Sequence, residues 1–207
     1  MSEGEPKILV VNDNGPHRRA TVDHLQKEGF RTDEGSNGES ALKIMLEERR
    51  WPDLILTDSN QPVFDGYDLV HFLKMRQAFG QGELIKTPQL ERHFRPKLDV
   101  VERYVRKIET PDMRRKLHDI PVILTSSGDQ RQLLKVEIDR VLKDEAGVEE
   151  RDRDKYITSV TELTYAIDAI RRAEAYRVLD VGDPENLRAL VEEIRNQLAL
   201  ACRIRVE

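Results

Sequence analysis

The sequence predicts an α/β protein built around a doubly wound parallel sheet. Short apolar runs alternate with longer amphipathic stretches along most of the chain, a pattern typical of successive strand–helix–strand units. The 207 residues are enough to bury a sizeable core. Charged residues make up 35% of the chain, so we expect a strongly ionic surface around that core.

The first strand, the first helix and the second strand follow one another near the N-terminus. Residues 8–11 are a continuous apolar run and are predicted to form a buried strand. Pro16 then favours the start of a helix, and Gly29 favours its end. Residues 30–34 are predicted to form a weaker and more exposed strand.

A second helix, a third strand and a third helix come next. Ser36 and Glu39 have the spacing of a capping box, which predicts that the second helix begins there. Residues 54–57 form the third predicted strand, and Asp58 stands at its end. The helix after it is predicted from its inward-facing apolar residues, Tyr67, Leu69, Val70 and Leu73.

The second half of the chain resumes this alternation after an interruption. Residues 121–125 are predicted to form a fourth strand, and residues 156–158 a fifth. The helix predicted between them rests on Leu134, Ile138, Val141 and Leu142. The last helix of the repeat is predicted from Leu163, Ala166, Ile167 and Ile170.

The interruption spans residues 77–118 and is predicted to be an inserted helix or helical hairpin. That prediction rests on four apolar residues at helical spacing, Leu98, Val101, Val105 and Ile108. Residues 83–119 carry ten Lys or Arg against seven Asp or Glu, which favours a solvated helix with paired charges. The alternative is a contact surface for an acidic partner or nucleic acid.

Residues 174–207 are predicted to form a C-terminal helical extension. Asp183 has the character of a helix cap, and Pro184 fits the first helical turn. The apolar seam of this helix consists of Leu187, Val191, Ile194, Leu198 and Ala201. At about three heptads the seam is short for an autonomous coiled coil, which favours packing on the parent domain over a homodimer.

Polar residues follow the predicted strands at one edge of the sheet, where open parallel sheets bind their ligands. They are Asn12, Asp13 and Asn14, then Asp58, then Ser126 and Ser127, and finally Ser159. The set suits a hydrated Mg²⁺, with Asp58 as a nucleophile toward a phosphoryl donor and Ser126 as a hydroxyl that binds a phosphoryl oxygen. Without a cation, the alternative is two capped turns beside a solvated acidic cluster.

Several motifs in order make the chain similar to the receiver domains of two-component response regulators, which are CheY-like proteins. The motifs are residues 7–13 (KILVVND), 29–30 (GF), 37–42 (NGESAL), 58–66 (DSNQPVFDG), 120–127 (IPVILTSS) and 156–158 (YIT). The resemblance implies a five-stranded, flavodoxin-like parallel sheet in the order 2-1-3-4-5. The receiver-like domain would then span residues 7–173 and contain the insertion at 77–118.

The resemblance also implies roles for individual residues. Asp58 would be the phosphoacceptor, Ser126 the switch hydroxyl and Tyr156 the switch aromatic. Mg²⁺ is the implied cofactor, and its expected ligands are Asp13, Asp58 and the backbone carbonyl of Asn60.

The chain departs from the family pattern at two places. Asn12 stands where an acid is usual, so it can hydrogen-bond a metal-bound water but adds no charge, and Mg²⁺ binding should be weaker. Ser159 and Val160 stand where the family has lysine and proline. The lost lysine removes a charge-assisted contact to the phosphoryl group of about 1.5 to 3 kcal/mol, which predicts weakened switching.

We therefore expect an atypical receiver that accepts a phosphoryl group on Asp58 from a histidine kinase or phosphotransfer protein. It would act on a downstream protein, which the sequence does not name, through protein contacts. The alternative is a pseudo-receiver that works as a docking or scaffold module without phosphorylation. A Mg²⁺-dependent aspartyl-phosphate phosphatase is disfavoured because Asn60 stands where such enzymes have a second aspartate, and no enzyme activity is expected.

The composition bounds the compartment and the partners. The single cysteine, Cys202, fits a reducing compartment, and the acidic start of the chain lacks a secretory signal pattern. No apolar run approaches the roughly 20 residues that span a bilayer, so we expect a cytoplasmic protein without membrane contact. The formal net charge of −5 and the lack of a helix-turn-helix pattern argue against nucleic-acid binding.

Overall fold

The fold is organised by a five-stranded parallel sheet with helices on both faces. A computed structural model describes residues 4–74, 79–80, 83–84, 97–126, 166–167, 169–173 and 175–204. The strands are β1 (Lys7–Val11), β2 (Arg31–Gly35), β3 (Leu54–Asp58), β4 (Val122–Ser126) and β5 (Ala175–Val178). The helices are α1 (Gly15–Lys27), α2 (Gly38–Leu46), α3 (Gly66–Lys74), α4 (Leu98–Val105), α5 (Pro111–Asp119) and α6 (Pro184–Ile204).

The spatial order of the strands is β2-β1-β3-β4-β5, and every neighbouring pair is parallel. The predicted α/β fold class and the predicted order of the first four strands are therefore confirmed. Phe79–Gly80 and Glu83–Leu84 form a separate antiparallel pair within the inserted segment.

The central strands are buried because helices cover both faces of the sheet. Ile8, Leu9 and Val10 of β1 are at most 2% exposed. Alternate side chains of β1 point to opposite faces, since Ile8 and Val10 join a cluster with α1 and α6. Leu9 and Val11 join the other cluster, with α2, α3 and α4. Burial on both sides explains why the sequence of β1 is continuously apolar rather than alternating.

The first helix begins and ends where the sequence predicts. The Asn14 side chain caps α1 by accepting from the His17 backbone N–H at 3.1 Å, and Pro16 lies in the first turn. Gly29 follows the end of the helix with a φ of 89°, in the left-handed region that favours glycine.

The second helix has a capping box, but one residue later than predicted. The Asn37 side chain accepts from the Ser40 N–H at 2.9 Å, and the Ser40 hydroxyl accepts from the Asn37 N–H at 3.1 Å. The predicted pair, Ser36 and Glu39, is therefore wrong by one position. The prediction required an acidic residue at the third helical position, whereas a serine hydroxyl makes the same reciprocal bond.

The strand described on the outer side of β4 is one that the sequence does not predict. Ala175–Val178 pairs with β4, with Ala175 opposite Ile123 and Val178 opposite Ser126. The sequence predicts a fifth strand at residues 156–158, which lie outside the described residues. Strand β4 pairs with β3 along one edge and with Ala175–Val178 along the other. The sequence assigns Ala175–Val178 to the C-terminal extension.

Helix α6 explains why the later segment can serve as this strand. The helix packs against α1 and β5, and Leu190, Val191 and Ile194 are at most 4% exposed in the cluster that contains Ile8 and Val10. The predicted apolar seam therefore folds back on the sheet, as the favoured alternative held. No helix in the described part of the chain is both long and apolar enough to cross a membrane.

The inserted segment contributes α4 and α5 to the main core. Val101, Tyr104 and Val105 of α4 are at most 2% exposed and pack in the cluster formed by α2 and α3. Within residues 77–118 the described part contains α4 and most of α5, which ends at Asp119. Ala166 and Ala169, which lie in a helical segment before β5, are buried in the same cluster.

Candidate functional site

The site is built around Asp58, the last residue of β3. Its carboxylate Oδ1 accepts from the Ser59 backbone N–H at 2.8 Å. The same N–H lies 2.8 Å from the Thr125 carbonyl oxygen, which continues the pairing between β3 and β4. The sheet therefore fixes Asp58 at the end of β3, where the following loop begins.

Residues 59–65, the acceptor loop, return from Asp58 to the start of α3 in a tight turn. The Gly66 N–H donates to the Ser59 carbonyl at 3.2 Å. A Cβ on Gly66 would lie 2.1 Å from the Asp58 carbonyl oxygen, so the turn requires glycine at this position. Phe64 is fully buried and anchors the middle of the loop in the core.

The turn after β1 supplies a second acidic group. Asp13 is exposed at the cavity wall, next to Asn12. The Asn12 side-chain oxygen accepts from the Asn14 backbone N–H at 2.7 Å. That bond is one an aspartate could also make, so Asn12 preserves the shape of the turn while removing one negative charge.

A cavity of about 250 Å³ joins these groups at the carboxyl edge of the sheet. Its described lining is Asn12, Asp13, Asn14, His17, Thr21, Asp58, Asn60, Thr125, Ser126, Leu179 and Val181. Six of the residues that the sequence singled out are therefore brought together, namely Asn12, Asp13, Asn14, Asp58, Asn60 and Ser126. Thr125 also reaches the cavity, so the wall contains two adjacent hydroxyl residues.

The electrostatic environment perturbs the Asp58 carboxyl. The pKa of Asp58 is raised from 3.8 to about 6, chiefly by burial and also by the nearby charge of Asp13. Backbone N–H groups of Ser59 and Asn60 and the proximity of His17 oppose this rise in pKa. Asp58 is therefore a carboxylate that a bound cation would stabilise in its charged form.

The donor groups fit a hydrated divalent cation. Asp13 and Asp58 provide two carboxylates on one cavity wall, and Asn60 lies beside them. Mg²⁺ is commonly bound by one or two carboxylates with water completing its octahedron. Within the described residues there is no group of three or more His, Cys, Asp or Glu that could hold a metal ion.

Two predicted site residues, Tyr156 and Ser159, lie outside the described residues, and their roles stay predictions. In the structure, β5 is followed by Leu179, whose N–H donates to the Ser126 carbonyl at 2.8 Å. Leu179 and Val181 form an apolar part of the cavity wall. Among the described residues that line the cavity, none is lysine or arginine.

Sequence reasoning missed Gln61 as a support of the site. Its side-chain Nε2 donates to the Val11 carbonyl at 2.9 Å and lies 3.3 Å from the Thr57 hydroxyl. The acceptor loop is thereby tied to the end of β1. The available signal was a long amide side chain between Asp58 and Pro62, but its partners could be known only from the strand order.

Comparison with known proteins relates this geometry to a family. Residues 8–85 match the family model described as the response regulator receiver domain. The chain is 38% identical over 69 residues to sporulation initiation phosphotransferase F of Bacillus subtilis, a match that covers 33% of this chain and 54% of the relative. It is 36% identical over 74 residues to the transcriptional regulatory protein ResD of the same organism, covering 36% of this chain and 30% of that protein.

The chain spans about half or less of the length of these two relatives, and each match covers about a third of the chain. A solved signal receiver domain from Vibrio parahaemolyticus superposes with a TM-score of 0.50, 13% identity and coverage of 98% of this chain and 96% of that one. At that identity the likeness concerns the fold alone. The likeness agrees with the parallel sheet of this chain.

Proposed function

We propose that this chain, which contains a response regulator receiver domain, accepts a phosphoryl group on Asp58 in a two-component phosphorelay. The observation that carries the proposal is the position of Asp58. It is fixed at a strand end, faces a cavity, and shares that cavity with Asp13, Asn60 and Ser126. That is the arrangement a carboxylate nucleophile and a cation require together.

In the proposed step, one carboxylate oxygen of Asp58 forms a bond to phosphorus. The bond from phosphorus to the nitrogen of a phosphohistidine, or to the oxygen of a small acyl phosphate, breaks at the same time. The leaving group keeps the electron pair of the broken bond, so the product is an acyl phosphate on Asp58. Ser126, which is 2% exposed at the cavity wall, is the hydroxyl proposed to bind a phosphoryl oxygen.

We propose that Asp13, Asp58 and the Asn60 carbonyl would hold Mg²⁺ at this site, with Asn12 reached through water. The cation would offset negative charge on the transferring group. The residues of the chain have their own tasks: the Ser59 N–H orients the Asp58 carboxylate, and Gln61 holds the loop against β1. Asn12 leaves the site with one acid fewer than the family pattern, so we expect weak Mg²⁺ binding.

Weakened switching is part of the proposal. The cavity wall after β5 is apolar at Leu179 and Val181, and the resemblance places Ser159 where a lysine is usual. Neither arrangement offers a cation to the phosphoryl group, so phosphorylation would bias the active conformation less than in a receiver with lysine. The proposed donor is a histidine kinase or a phosphotransfer protein, and the proposed output is a protein contact.

The test is Asp58-dependent phosphorylation by a small donor. The full chain is incubated with acetyl phosphate and either Mg²⁺ or a chelator, and its intact mass is measured over time. We expect a gain of one phosphoryl group that requires Mg²⁺, is abolished in Asp58→Asn and is unchanged in Asp23→Asn, an exposed control on α1. The same gain with and without Asp58 would overturn the proposal.

A second candidate is a docking module that works without phosphorylation. It is supported by the apolar contribution of Leu179 and Val181 to the cavity and by the lack of lysine and arginine among the described lining residues. This candidate predicts no Asp58-dependent mass gain in the same experiment. It also predicts that Asp58→Ala leaves binding of a protein partner unchanged.

A further inference from the structure

Helix α4, which belongs to the inserted segment, contacts the end of the acceptor loop through its N-cap residue. Its N-cap residue, Lys97, forms ion pairs with both Asp65 and Asp68, and the Nζ to Asp65 Oδ2 distance is 3.4 Å. Asp65 is the last residue of the acceptor loop, and Asp68 lies in the first turn of α3. A side chain of the insertion is therefore attached directly to the end of the loop that begins at Asp58.

The two acids that Lys97 contacts form a reciprocal cap on α3. The Asp65 N–H donates to the Asp68 carboxylate, and the Asp68 N–H donates to the Asp65 carboxylate, each at 2.9 Å. The pKa of Asp65 is raised to about 6, chiefly by burial and also by the adjacent charge of Asp68. The cation of Lys97 acts against that rise and so favours the charged form of the Asp65 carboxyl.

A second contact joins α4 to the other side of the loop. Arg103 pairs with Glu39 of α2 at 2.6 Å. The neighbouring Gly38 N–H donates to the Phe64 carbonyl at 2.7 Å, and a Cβ on Gly38 would lie 2.7 Å from that oxygen. The acceptor loop is thus packed tightly against the start of α2, at the place where α4 pairs with that helix.

The apolar face of α4 fixes these charged contacts in place. Val101, Tyr104 and Val105 are at most 2% exposed and share a cluster with Phe64 of the loop. A helix held by such burial is a rigid support for the side chains at its ends. Its position and the position of the loop are therefore mechanically linked.

We propose that α4 is part of the machinery that positions the acceptor loop and that Lys97 is its principal positioning residue. The inference rests on the proposed function of Asp58 and extends it by giving the insertion a role. Loss of the Lys97 cation would leave Asp65 and Asp68 to repel each other and loosen the turn that ends at Gly66. Since rates of group transfer are sensitive to sub-ångström placement, Asp58 should then react more slowly.

The experiment compares Lys97→Met, Lys97→Arg and a matched control, Lys107→Met, in the full chain. Lys107 also lies in the insertion, where it pairs with Glu47 at 4.0 Å on the surface. Two quantities are measured: the rate of Asp58 phosphorylation by acetyl phosphate with Mg²⁺, and hydrogen exchange of the loop amides. Thermal unfolding is recorded for each variant so that a folding defect is recognised.

We expect Lys97→Met to slow phosphorylation roughly tenfold and to speed exchange of the loop amides. Lys97→Arg should restore the rate to within about threefold, and Lys107→Met should behave as the wild type.

If Lys97→Met unfolds, the comparison moves to an Asp68→Asn background, which removes one of the repelling charges. There the effect of Lys97→Met should fall to about threefold or less, because both substitutions act on the same contact.

The two proposals fail in different ways. Equal phosphorylation rates for the wild type and Lys97→Met, in folded proteins, would overturn the role of Lys97 and leave the acceptor role of Asp58 standing. A wild-type chain that gains no Asp58-dependent phosphoryl group would overturn the proposed function, and this inference with it.

Discussion

Asp58 combines rigid placement with an unfavourable environment for its own charge. The Ser59 N–H holds one carboxylate oxygen, while burial and the charge of Asp13 raise its pKa to about 6. The partners of a structural carboxylate normally stabilise its charged form by more than burial destabilises that form. A net cost to the charged form is common at functional sites, where a bound ligand can offset it.

This cost predicts that Asp58→Asn stabilises the metal-free protein at neutral and alkaline pH. The unfolded chain releases the proton near pH 3.8, whereas the folded chain holds it until about pH 6, so stability falls as the pH rises through that window. With a discount for partial exposure, we expect a gain of about 1 to 2 kcal/mol at pH 8 in chelator. Denaturant unfolding at pH 8 and below pH 4 measures it.

At the lower pH both the folded and the unfolded wild type are protonated at this position, so the two proteins should have nearly equal stability. A variant that is no more stable than the wild type at pH 8 would contradict the assigned environment of Asp58.

Gly66 makes the turn possible through its lack of a side chain. A Cβ there would lie 2.1 Å from the Asp58 carbonyl oxygen, a backbone atom that cannot move without disturbing β3. Gly66→Ala should therefore lower the free energy of unfolding by more than about 2 kcal/mol. Gly15→Ala is the matched control, because its Cβ would meet only the end of the Arg18 side chain at 3.9 Å.

The control should change the free energy of unfolding by less than about 1 kcal/mol in either direction. Equal effects of the two substitutions in chemical denaturation would show that the close approach of Gly66 to Asp58 is not a constraint on the fold.

At the scale of elements, α6 and β5 are integral to the sheet rather than an appendage. Ile194 is fully buried in the cluster of α1 and β1, whereas Leu200 on the same helix is 50% exposed. Ile194→Ala should cost about 3 kcal/mol of unfolding free energy, and Leu200→Ala less than about 0.5 kcal/mol. Both values come from denaturant unfolding of the full chain.

If α6 were an independent extension, Ile194→Ala would leave the main unfolding transition unchanged. A similar, small effect of both substitutions would therefore contradict the packing of α6 on the sheet.

At the scale of the whole molecule, local patterns predicted the central strands, both ends of α1 and the start of α6. β1 and β3 are apolar runs of fixed length, and both are found within one residue of their predicted ends. The site could be predicted for Asp13, Asp58, Asn60 and Ser126, because a parallel sheet brings the ends of its strands to one edge.

What local patterns could not decide was which distant segment completes the sheet. Ala175–Val178 is a short run with strand-forming residues, as residues 156–158 are in the sequence, and its place beside β4 depends on the packing of α6 on the sheet. The same applies to Lys97 and Gln61. Asp68 lies 29 positions from Lys97, and Val11 lies 50 positions from Gln61, so no periodicity of the sequence could reveal these contacts.

The acceptor role of Asp58 is the central claim, and site mapping after phosphorylation tests it most directly. The full chain is treated with acetyl phosphate and Mg²⁺, divided, and mapped by peptide mass spectrometry with and without hydroxylamine, which cleaves acyl phosphates. We predict one modified peptide that contains Asp58, is lost on hydroxylamine treatment and is absent from Asp58→Asn. A chain that stays unmodified, or one modified at another residue, would contradict the account.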